Sequence, residues 1–63
     1  MDRTVERAIK ELEGEVARGE VFLGDGSARD FPEYQEMVGK IAGIKGAIRI
    51  IKELQGQQKE EDF

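Results

Sequence analysis

A chain of 63 residues with a net charge of −4, no Cys and no His excludes much chemistry at the outset. It offers no disulfide, no thiolate nucleophile, no cysteine zinc site and no imidazole base or ligand. The acidic balance weighs against a dedicated nucleic-acid binder, which needs clustered Lys and Arg, and the length allows one domain at most, with a core that is marginal without staples or oligomerisation.

In chain order, Met1–Arg7 is charged from residue 2 and has no apolar h-region, so no signal peptide is expected and synthesis in the cytoplasm is the default. Residues 2 to 18 then read as an amphipathic helix, because Val5, Ala8, Ile9, Leu12 and Val16 recur at helical spacing among charges. Asp2 or Thr4 can cap its start, and Gly19 is a plausible C′ residue at its end. Residues 19 to 31 break the period. Val21, Phe22 and Leu23 make an apolar run, and Gly24-Asp25-Gly26-Ser27 is turn chemistry, so a long glycine-rich loop is expected here. Asp30 is placed as an N-cap, with Pro32 in the first turn and Glu33 completing a capping box.

The second helix, about 32–55, is the stretch around which the rest is organised. At about 100° per residue its apolar positions fall on two faces. One is bulky: Tyr34, Met37, Val38, Ile41, Ile44, Ile48 and Ile51. The other is smooth: Gly39, Gly43, Gly46 and Ala47, continued by Ile50 and Leu54. Each helical Gly costs about 0.8–1 kcal/mol relative to Ala, so something should gain from three of them. Close approach of another helix is the usual gain. The expectation is therefore that the first helix lies across the smooth face, leaving Tyr34, Met37, Ile41, Ile44 and Ile48 as a docking surface rimmed by Lys45, Arg49 and Lys52. On that arrangement Gly43→Leu breaks the hairpin and Ile41→Asp breaks only assembly; the reverse outcome would make the smooth side the interface. Lys40, Lys45, Arg49 and Lys52 rule out a membrane span. Gly56 fits the C′ of this helix, and 57–63 is read as an acidic tail ending in Phe63.

Two motifs fail on inspection. Residues 25–36 mimic a calcium loop through Asp25, Ser27 and Glu36, but Arg29 brings a cation to the fifth position, Asp30 replaces the turn glycine and Pro32 follows. The carboxylates of Asp25, Asp30, Glu33 and Glu36 lack the apolar pocket that would separate their pKa values for hydrolysis. No catalytic, cofactor-binding or metal-binding residue is assigned, and no cofactor is expected.

The string Asp30-Phe31-x-x-Tyr34-x-x-x-Val38-Gly39-x-Ile41-x-Gly43-Ile44-x-x-Ala47, after an acidic helix and a glycine-rich turn, resembles small proteins encoded among the head genes of tailed bacteriophages, near terminase and portal. The resemblance spans about residues 5–55. It implies a virion or head-assembly component and carries over no catalytic residue.

The reading is thus an all-α chain: a two-helix antiparallel hairpin (about 3–18 and 32–55) forming one domain over 1–56, completed by oligomerisation or by partner subunits. The expected function is a non-enzymatic phage structural protein docking on capsid, portal or neck subunits of the virion. The alternative is a small cytoplasmic helical interaction module, a regulator or host-factor inhibitor acting as an oligomer. Partners are protein subunits, other copies of itself included, and no membrane; a nucleic-acid-associated packaging factor is the least favoured reading.

Overall fold

The computed structural model describes the backbone of residues 3–61 and the side chains of residues 3–56. Two helices, α1 (Arg3–Gly24) and α2 (Phe31–Glu61), pack side by side, and the described residues include no strand. At 1.5 Å per residue a helix of 31 residues is about 46 Å long, which sets the 51 × 17 × 13 Å dimensions of the chain. Its radius of gyration is 15.0 Å, against about 11 Å for a compact chain of this length.

Both helices are longer than the sequence alone suggests. The first does not stop at Gly19. Its inward positions are Val5, Ile9, Leu12, Val16, Gly19 and Leu23, stepping four-three-four-three-four, and Ile9, Val16 and Gly19 are buried. The matching seam on α2 is Met37, Ile41, Ile44, Ile48, Ile51 and Gln55, with the same steps. A 3.5-residue repeat on both helices is the pattern of a left-handed coiled-coil pair, in which each seam side chain sits between those of its neighbour. Two ion pairs fix the register: Lys45 Nζ lies 3.5 Å from Glu20 Oε2, and Lys52 Nζ 3.7 Å from Glu13 Oε2. Both join positions one step outside the seam, and as one partner advances by seven the other retreats by seven. The helices are therefore antiparallel. The pairs are half exposed, so each stabilises weakly, by about 0.2–1 kcal/mol, and their larger effect is on register.

The connection is a short one, 25–30, because Val21, Phe22 and Leu23 belong to the last turn of α1. Leu23 extends the seam, and its packing outweighs the glycine-rich sequence that follows. The helix ends in a Schellman arrangement: the Ser27 N–H donates to the Phe22 carbonyl at 3.2 Å and the Gly26 N–H to the Leu23 carbonyl at 3.4 Å. Gly26 takes φ 76°, the left-handed conformation that a C′ residue needs. Gly26, and not Gly19, is thus the C′ glycine of α1. Asp25 Oδ1 then accepts from both the N–H and the hydroxyl of Ser27.

Asp30 caps α2 as expected: the Glu33 N–H donates to its Oδ1 at 2.9 Å, and the Tyr34 N–H to its carbonyl at 3.1 Å. The reciprocal half of the capping box is displaced by one residue. Glu33 accepts from the Arg29 backbone N–H at 3.4 Å and from Arg29 Nε at 3.0 Å, rather than from Asp30. At its far end α2 runs through Gly56 to Glu61, so Gly56 is not its C′ residue and the backbone of 57–61 continues the helix. Thr4 lies inside the first turn of α1. Asp2, the other candidate cap, and Phe63 fall outside the described residues.

Candidate functional site: the outer face of the second helix

The core is small. Ile9, Val16 and Ile41 are its only buried hydrophobic side chains among the described residues, and even these retain 7–8% exposure. Ile41 is central, and it corrects the expected assignment of faces. The bulky side of α2 turns inward: Met37, Ile44, Ile48 and Ile51 are half-buried around Ile41 along α1. Gly39 and Gly43, expected to receive α1, are exposed, as are Ile50 at 51% and Leu54 at 56%. A Cβ added at Gly39, Gly43 or Gly46 would meet nothing within 4 Å. Gly46 and Ala47 are half-buried at the margin of this face.

The physical reason lies in the glycine that does make a close approach. A Cβ on Gly19 would lie 2.9 Å from Cγ1 and Cδ1 of Ile41 and 3.2 Å from Met37 Sδ. The hole therefore sits on α1, and the branched side chains of α2 fill it. Burying Met37, Ile41, Ile44, Ile48 and Ile51 against Val5, Ile9, Leu12 and Val16 removes far more apolar area from water than burying glycines would. Sequence reasoning treated Gly19 as a helix end. The signal that could have located it was the seam itself, since Val16, Gly19 and Leu23 continue the four-three spacing.

Of the residues expected to form a docking surface, Ile41 is buried, and Met37, Ile44 and Ile48 are committed to the hairpin seam. Tyr34 remains outside, 44% exposed, and stacks on Phe31 with ring centroids 6.3 Å apart and planes 11° from parallel. Lys45 and Lys52 point to Glu20 and Glu13 of the same chain, and Arg49 Nη1 lies 3.5 Å from Glu53 Oε1. Glu13 and Glu20, seven residues apart and facing Lys45 and Lys52 at the same spacing, were a legible charge pattern that single-helix reasoning missed.

What remains is an outer face on α2, about 140–180° from Ile41 around the helix: Gly39, Gly43, Ile50 and Leu54, which are exposed, with Gly46 half-buried at its margin. Three interior glycines cost the helix about 2.5–3 kcal/mol relative to alanines, and among the described residues no close packing offsets that, because no atom lies within 4 Å of the Cβ position at any of them. The acidic groups have local structural work. Asp25 orders the turn, Asp30 caps α2 and Glu33 holds Arg29. The Arg18 guanidinium donates to Glu15 Oε1 at 2.9 Å and, by that bond and its charge, holds the Glu15 carboxyl below its ordinary value. Among the described residues no three acidic side chains gather as metal ligands, and no helix is long and apolar enough to cross a membrane. Compared with protein-family models, curated proteins and solved structures, the chain matches none.

Proposed function

We propose that the chain is a non-enzymatic assembly subunit that docks on protein partners through the outer face of α2. One observation carries this: an apolar face of glycines, Ile50 and Leu54 stands open on a hairpin with three buried hydrophobic side chains among the described residues. A core of that size supplies too little to order two long helices on its own, since each ordered residue opposes folding by about 1–2 kcal/mol of backbone entropy. Contact with other subunits supplies the remainder. The interface moves from the bulky side of α2 to the smooth side, with Tyr34 and Phe31 as a second apolar patch beside the connection.

The resemblance of Asp30–Ala47 to small head-gene proteins of tailed bacteriophages gives the setting: capsid, portal or neck, and hence the virion. Mass spectrometry of particles purified from the source of this chain tests it. Peptides of the chain at a fixed ratio to the major capsid protein support the reading. Their absence from intact particles, with the chain abundant in the host cytoplasm, overturns it in favour of a cytoplasmic interaction module.

A further inference from the structure

We propose that the partner on the outer face of α2 is a second copy of the same chain, related by a two-fold axis that sets the two α2 helices antiparallel. This rests on the docking reading above and names the occupant. The first argument is area. A compact monomer of 7.1 kDa should expose about 4,100 Å², whereas this chain exposes 5156 Å². The extra area is that of an elongated hairpin whose helix faces are left open, and a standard interface takes ~800 Å² from each partner.

The second argument is self-complementarity. A two-fold axis between Gly46 and Ala47 brings Gly43 of one copy level with Ile50 of the other, and Gly39 level with Leu54. Each half of the face supplies the volume the other half omits. A parallel pair would set Ile50 against Ile50 and glycine against glycine. Charge permits the match, because the rim of Glu36, Lys40, Arg49 and Glu53 holds equal numbers of acids and bases. Pairing through the inner face is disfavoured, since it would displace α1 and strip Lys45 and Lys52 of Glu20 and Glu13. The product is a flat four-helix layer, α1–α2–α2–α1, in which α2 is covered on both sides.

Sedimentation of the full chain at micromolar concentration, with circular dichroism on the same samples, tests the proposal. The wild type should be a dimer, and Ile50→Asp and Gly43→Leu should each weaken dimerisation on the order of 100-fold while keeping helical signal. Gly43→Leu guards against an unfolded Ile50→Asp, because Gly43 is exposed and a Cβ there meets nothing within 4 Å. Orientation is read from cysteines, which the native chain lacks. Gly43→Cys mixed with Ile50→Cys should cross-link more than either alone. A monomeric wild type, or a dimer that survives both face substitutions, overturns the second-copy proposal. If the wild type is a monomer and Ile50→Asp loses its place in particles, docking through this face stands with a different partner. If incorporation is unchanged, the docking reading falls as well.

Discussion

Replacing Gly19 by Ala tests most directly how α1 meets α2. The new Cβ would stand 2.9 Å from two carbons of Ile41 and 3.2 Å from Met37 Sδ, whereas non-bonded carbons rest at about 3.5–4.0 Å. Ile41 would have to withdraw by about 0.6–1 Å from a seam in which it is the most buried residue of α2. Overpacking of this kind costs about 1–3 kcal/mol, and the helix propensity gained by leaving glycine returns about 0.8–1 kcal/mol. The net effect is a loss of about 0–2 kcal/mol, a large share of what a small core provides. Gly14→Ala is the matched control. It lies in the same helix and gains the same propensity, and its Cβ would meet only the movable Arg18 guanidinium, no closer than 3.4 Å. Urea unfolding followed by circular dichroism, at one protein concentration, should place Gly14→Ala above the wild type and Gly19→Ala about 1–3 kcal/mol below Gly14→Ala. Equal stabilisation by the two substitutions would refute the seam described here.

Ile41→Ala should destabilise by about 2–5 kcal/mol, and Ile41→Asp should unfold the hairpin rather than spare it, because the carboxylate would be buried without a partner; full helicity in Ile41→Asp would return the bulky face to the solvent. Gly26→Ala forces a Cβ into the left-handed region and should lower stability by about 1–2 kcal/mol, with Gly26→Asn milder, as read from the urea midpoint. Asp30→Ala removes the cap of α2 and should cost about 0.5–2 kcal/mol, while Asp30→Ser should recover most of it. Acidification has a defined sign at Glu15. Its folded carboxyl titrates below 4.5, so its contribution is present above that pH and is lost as the pH falls through the folded value. In a helicity titration the acid limb should be shallower for Glu15→Gln than for the wild type, and identical limbs would remove Glu15 from the account.

Two helices, turn chemistry at Gly24–Ser27 between them and Asp30 at the start of the second are legible in the sequence, although it makes the loop too long. These are local facts: apolar periods, turn residues and a carboxylate three residues before an orphan N–H. The apolar residues on two sides of α2 are legible there too, and with them the expectation of a second cover. Tertiary structure alone decided which side α1 takes. Glycine spacing on α2 suggested a groove for a neighbouring helix, but whether a small residue is a hole depends on the side chain opposite it, and that is a property of a pair. The hole proved to be Gly19, three residues beyond Val16 and directly under Ile41, where local rules see only a helix end. The same dependence lengthened α1. Val21 and Phe22 have weak helical preference of their own, and the helix persists through Leu23 because the seam to α2 is still being buried there. Beyond Gly56, by contrast, Gln57, Gln58, Lys59, Glu60 and Glu61 favour helix by themselves. Side-chain packing across the two helices, summed over a four-three repeat, outweighed single-residue propensity, and it left the glycines facing outward.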